Sequence, residues 1–361
     1  MLSPLDDYPI HQAPISMRHV VTSDRNFYDR YYFNVHPSSD ELFLVVGVGQ
    51  YPNLGVQDAF VALLRGDEHR VVRASKALGA DRMQSEVGPV RIEVIEPLKR
   101  LRVICEPNEW GLSCDLTWEG AIPAHAEPPH FMRTNERVTF DSMRLAQTGC
   151  WTGSITIDDE VVDVTPDRWW GSRDRSWGVR PVGEPEPAGI NAAHPMEGFW
   201  WVYAPMQFDR YSILCMAQEE PDGTRVLEQA IRLWPDGRSE DLGKPQLDVQ
   251  LKEGTRQVER ATWHLHEPDG TPFTVDVEVL LPMWLGKGTG YGFDADWRHG
   301  MWQGDEVVQG VSFDLADPEV AASMFGIIDS VARFRCGSDE GHGLFEWLFL
   351  GRHDPSGWTG W

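Results

Sequence analysis

The sequence predicts an all-β protein of two successive antiparallel β domains, barrels or sandwiches, with only a few short helices. Three observations carry that expectation. Apolar and polar residues alternate with period two in segment after segment, helical periodicity is scarce, and one Pro- and Gly-rich stretch divides the 361 residues near their middle. Alternation of this kind marks antiparallel strands with one face in a core and the other in water.

In chain order, residues 27–32 read as a helical turn. The apolar run 42–48 reads as a strand that ends in a tight turn at Tyr51-Pro-Asn-Leu-Gly55. Residues 91–95 and 112–118 alternate as strands, and 158–163 reads as a hairpin turn with acidic tips. Residues 181–189 (PVGEPEPAG) form the linker, which divides the chain into domains 1–185 and 186–361. In the second half, 226–234 is a strand entering a Pro-Asp-Gly turn, and 273–279 is another strand. Residues 286–292 (GKGTGYG) are a flexible turn, because no helix follows them to make a phosphate loop. The best helix is 317–331, opened by Asp-Pro-Glu, an N-cap followed by Pro at the first helical position. An echo between Gly149-Cys-Trp-Thr-Gly153 and Gly300-Met-Trp-Gln-Gly304 suggests that the two halves are related.

Composition narrows the function. With 56 acidic against 32 basic residues the formal charge is −24, a field that repels nucleic acid and anionic lipid. No stretch is long and apolar enough to span a membrane, and the first residues lack the features of a signal peptide. Five cysteines without metal-type spacing read as reduced thiols in a cytoplasmic protein. Sixteen tryptophans are many for this length and suit the lining of an aromatic cavity for a hydrophobic small molecule.

The segment 167–180 packs three Trp, four Arg and two Asp together. On a strand, Asp174 and Ser176 share one face while Arg173, Arg175 and Trp177 share the other. One reading is a polar cluster in a barrel mouth, with Asp174 as acid or orienting group and Trp177 as a wall. The other is an Arg–Asp network that pins the two domains together. After the linker, Trp201, Tyr203 and Pro205 share a strand face able to line a cavity, and Asp209 at the strand's far end is a second candidate proton donor. The competing reading places these aromatics in a sandwich core and Asp209 in a solvent turn. His264 and His266 have a spacing that can bind metal, but no third ligand accompanies them, so no metal is expected. His125 and His130 sit in a Pro-rich loop and read as solvated.

Gly171-Ser-Arg-Asp-Arg-Ser-Trp-Gly178 resembles the Asp-x-Asn/Ser-Trp-Gly signature of the carotenoid 1,2-hydratase and AttH-like family. The segments 47–53, 149–153, 198–201, Gly343-Leu-Phe-Glu346 and Gly351-Arg-His353 fit the same frame, so the resemblance spans nearly the whole chain. It implies two tandem lipocalin-like domains with a pocket at or near their junction, and hydration or cyclisation of unsaturated substrates. By motif it places Asp174, Arg175 and Trp177 in the signature, with Arg175 where the hydratases carry His. Tyr203 and Asp209 fall near the hydratases' Tyr and acid.

Together these readings point to a cofactor-independent lyase, hydratase or isomerase, protonating a carbon–carbon double bond of an isoprenoid, sterol or aromatic substrate. Asp174, Asp209, Arg175 and Tyr203 are the candidate catalytic residues. Trp177, Trp201, Trp170 and Arg173 are the candidate substrate contacts. Burial would keep the acid neutral near pH 7, and aromatic faces would stabilise a cation. A non-catalytic carrier of the same ligand, or a cyclase that only folds its substrate, are the alternatives.

Overall fold

The computed structural model describes residues 2–292 and 294–360, apart from the side chain of Asn191. The first half contributes β1 (Phe27–Val35), β2 (Phe43–Tyr51), β3 (Val56–Arg65), β4 (Glu68–Ala77), β5 (Val90–Glu96), β6 (Arg100–Cys105), β7 (Leu112–Gly120), β8 (His125–Ala126), β9 (His130–Thr134), β10 (Arg137–Ile157), β11 (Glu160–Val164) and β12 (Trp170–Val179). The second contributes β13 (Gly198–Gln207), β14 (Ser212–Glu219), β15 (Arg225–Leu233), β16 (Ser239–Asp241), β17 (Gln246–Leu251), β18 (Val258–His266), β19 (Pro272–Trp284), β20 (Glu306–Asp314), β21 (Ile328–Cys336) and β22 (Asp339–Gly351). Among the described residues the only α-helix is α1 (Pro318–Ser323), and none is long and apolar enough to cross a membrane.

All strands pair antiparallel in two curled sheets, each a half-barrel. The first runs β20-β4-β3-β2-β1-β12-β10-β7-β6-β5, with β8, β9 and β11 also paired to β10. The second runs β16-β15-β14-β13-β22-β21-β19-β18-β17. The chain crosses between sheets at 180–197, and β20 returns from the second half to cover the edge of β4.

Strand periodicity sorts most buried side chains into three large cores, beside a small fourth one of Tyr28, Tyr51, Val56 and Val182. Phe33, Leu44, Val46 and Trp151 fill the first sheet's concave side, and Trp200, Val202, Trp263 and Trp347 fill the second's. The opposite faces meet in a third core, where Tyr32, Phe43, Val45 and Phe60 pack on Trp201, Tyr203 and Met216. This explains β2, which is buried along its whole length and reads as a continuous apolar run rather than an alternating one.

The strands read at 91–95, 112–118, 226–234 and 273–279 are present, as is the hairpin at 158–163. Three expectations fail. Residues 27–32 are strand, because Tyr28, Arg30 and Tyr32 alternate into the interior. The helix from Asp317 caps as expected, with its side chain accepting from Glu319 N, but it ends at Ser323. Gly326, at φ +106°, breaks the chain ahead of β21. The Gly149 and Gly300 echoes do not correspond, since the first lies within β10 and the second in the loop before β20.

Candidate functional site

Between the two sheets lies a cavity of about 250 Å³. Strand register assembles its polar wall row by row, because directly paired residues in adjacent strands project from the same face. On the first sheet, Tyr32, Asp174 and Ala146 form one row across β1, β12 and β10, and Arg30, Ser176 and Arg144 form the next. On the second sheet, Tyr203, Glu346 and Asp329 form a row across β13, β22 and β21. The rows meet where the Tyr32 hydroxyl donates to Asp329 Oδ2 across the junction. Trp201 donates its indole N–H to Glu346 Oε1.

Asp174 keeps some accessible surface, but that surface belongs to the cavity wall. Burial pushes its carboxyl up to about 7. The charges of Arg144 and Arg30 pull the other way, and Glu127 and Glu346 add to the rise. Asp329 is fully buried and is driven well above the carboxylate range by burial and by Glu346 beside it. Burial also raises Glu346, against hydrogen bonds from Trp201 and Asp329. Burial and the proximity of the two carboxyls disfavour ionising both, so each is raised by the other's presence or by burial. Arg144 pairs with the buried Glu127, and its guanidinium lies 4.4 Å from the ring centre of Tyr203 and 5.5 Å from that of Trp201. The result is an acid raised toward neutral pH on the cavity wall, a carboxyl pair opposite it, and aromatic walls around both.

The structure brings Asp174, Trp201 and Tyr203 together but not the other expected residues. Arg173 is buried on the opposite face of β12, donating to Gln147 Oε1 at 2.8 Å. Arg175 shares that face, paired with Asp29 and lying over Tyr31. Trp177 follows on the same face and is 38% exposed, so it cannot form the cavity wall. Alternation along the strand already separates these three from Asp174. Trp170 packs edge-on to His342, away from the cavity. Asp209 is exposed in the hairpin after β13, which corrects its reading as a proton donor in the pocket.

His130, read as solvated, lines the cavity instead. It stacks on Phe140 at 4.7 Å, and burial together with Arg144 lowers it to about 4. His264 is half-buried and pairs with Asp248. Among the described residues no cluster of three or more His, Cys, Asp or Glu could hold a metal. The five cysteines are all free thiols.

Sequence reasoning missed Arg30, Tyr32, Glu127, Arg144, Asp329 and Glu346. For Glu346 a signal existed: it lies between Leu344 and Leu348 in an apolar phase of its strand, where a carboxylate has no reason to be unless it is buried by design.

A family model described as a family of unknown function (DUF8625) matches residues 2–359. No curated protein matches the sequence. Among solved structures, a candidate AttH protein from Nitrosomonas europaea is similar at 13% identity and a TM-score of 0.55, over 93% of this chain and 98% of that one. Kievitone hydratase from Nectria haematococca gives 13% identity and 0.49, over 89% of each chain. CghA with bound Sch210972 gives 10% and 0.49, over 91% of this chain and 89% of that one. The AttH likeness is one of fold, and it bears out the two-domain lipocalin-like architecture that the signature around Asp174 implies.

Proposed function

The chain belongs to the family of unknown function DUF8625, and we propose that it is a cofactor-independent acid–base lyase acting on a carbon–carbon double bond of a small hydrophobic substrate. The observation that carries this reading is the Asp174 carboxyl, held on the cavity wall and raised to about 7. A general acid works best when its pKa lies near the working pH, because it is then both protonated and willing to give its proton up. A carrier has no use for such a group, and burying it costs stability.

In a hydration, Asp174 protonates one carbon of the double bond and water adds to the other. Glu346, the member of the carboxyl pair that lines the cavity, takes the proton that water loses. Transfer from Glu346 back to Asp174 through water restores both groups. Trp201, Phe140, Phe199 and Tyr291 supply the apolar surface that holds the substrate and excludes bulk water.

The test begins with mass spectrometry of whatever small molecule accompanies the purified protein. That molecule is then incubated with enzyme in D2O, and deuterium incorporation is followed. The wild type is expected to incorporate it, with activity falling as pH rises through about 7 and Asp174 ionises. Asp174→Asn is expected to lose about 100-fold or more in rate. Full activity in that variant refutes the mechanism. A ligand returned unchanged by the wild type favours the carrier.

A further inference from the structure

Two cations beside the cavity keep buried donors without an acceptor and have no acid within ion-pair distance. Arg30 is 3% exposed; its Nη1 donates to His299 Nδ1 at 2.6 Å, while Nε and Nη2 are buried without an acceptor. Arg180 donates from Nη2 to the same His299 nitrogen at 3.2 Å, and its Nε is likewise without a partner. Both residues line the cavity, and among the described residues neither forms an ion pair. The other arginines at this junction are paired: Arg144 with Glu127, and Arg175 with Asp29.

His299 cannot supply the missing charge. Its Nε2–H donates to the Thr289 carbonyl at 3.0 Å, leaving Nδ1 as a neutral acceptor. Burial and the two arginines hold its pKa well below the usual histidine range. Asp58 is near enough for its charge to act on both arginines, but its oxygens accept from the Tyr51 hydroxyl at 3.0 Å and Gly300 N at 2.7 Å and leave the free guanidinium donors unfilled. The backbone is shaped around this arrangement. A Cβ on Gly47 would stand 2.8 Å from Arg30 Nη2 and 2.4 Å from Phe60. A buried guanidinium with free donors is costly to keep, and donors of this kind match an oxygen anion that enters with a ligand.

We propose that the cavity takes a substrate whose double bond is conjugated to a carbonyl, and that Arg30, with Arg180, holds that oxygen as it becomes an enolate. The assignment of the reacting bond rests on the acid–base reading above; the oxygen site does not. Water bonds to the β-carbon and loses its proton to Glu346. The π electrons move to the carbonyl oxygen, where the arginines stabilise the negative charge. Asp174 then protonates the α-carbon, and the carbonyl re-forms. A carbocation formed beside two guanidinium groups with free donors would be repelled by them, so this wall selects the anionic route over protonation of an isolated alkene.

The test is binding of benzoate and of its neutral counterpart benzamide, measured by calorimetry on the intact protein. Wild type is expected to bind benzoate at least about tenfold more tightly, the scale of one hydrogen bond to a charged group. Arg30→Met should abolish the preference, and Arg30→Lys should retain part of it. Should Arg30→Met fail to fold, the wild-type comparison still decides. Equal affinities, or no detectable binding of benzoate, overturn the oxygen site. Asp174→Asn separates the two readings: if it keeps both the benzoate preference and full turnover, the acid assignment falls and the oxygen site stands.

Discussion

Asp174→Asn makes a prediction about stability that a structural role for Asp174 reverses. The carboxyl is raised from 3.8 to about 7 in the folded protein, so the native state binds a proton that the unfolded chain releases. Stability therefore falls as pH rises from about 4 to about 7, and is flat in this respect above that. A shift of about three units corresponds to about 4 kcal/mol of penalty at neutral pH and beyond. Asparagine cannot ionise and escapes the penalty, but burying its amide gives back about 1–2 kcal/mol. The net expectation is a variant more stable than wild type by about 2–3 kcal/mol near pH 8, or roughly 4–6 °C in Tm. Near pH 4 the advantage disappears, because the native carboxyl is then protonated and the unfolded one only about half ionised, so little of the penalty remains. Paired thermal melts across this range read the difference, and contributions from the other carboxyls largely cancel. If the variant is the less stable protein near pH 8, the Asp174 carboxylate is a structural partner of Arg144 and the proposed acid is wrong.

Three further substitutions test the geometry and the charges around it. Trp201→Ala, which removes a 7%-exposed wall and the donor to Glu346, should cost about 3–5 kcal/mol and at least about tenfold in kcat/KM. Trp177→Ala, on the far face of β12, should change kcat/KM less than about twofold; a comparable loss there would restore Trp177 to the substrate site. Glu127→Gln should cost about 3 kcal/mol by leaving Arg144 without its counter-charge. It should also move the upper pH limit of activity downward, since the Glu127 charge helps to raise Asp174. An unshifted pH profile would separate Glu127 from the acid.

The architecture was legible because it depends on local rules. Period-two alternation located strands, and Pro and Gly located turns. The failures have equally local causes. Phe27-Tyr-Asp-Arg-Tyr-Tyr32 looks too polar for a strand until its Tyr and Arg are seen to face a second sheet, which sequence alone does not reveal. The return of β20 to β4 is invisible for the same reason, since pairing across more than two hundred residues leaves no periodic trace.

The site divides along this line. Asp174 stood out because it sits among arginines and tryptophans in one short segment, and Trp201 with Tyr203 because their strand phase is aromatic. Glu127, Asp329 and Glu346 stand alone in sequence and become a cluster only when β10, β12 and β1 are laid against β13, β22 and β21. The density of charge around residues 173–177 was misleading in one respect: alternation turns Arg173, Arg175 and Trp177 away from the cavity. Asp174 alone among those charged and aromatic neighbours faces inward. Its chemistry is set by Arg30, Arg144, Glu127 and Glu346, which are distant in sequence, so the tuning of the acid belongs to the junction rather than to either half. Separating the halves would therefore abolish the site even if each still folded.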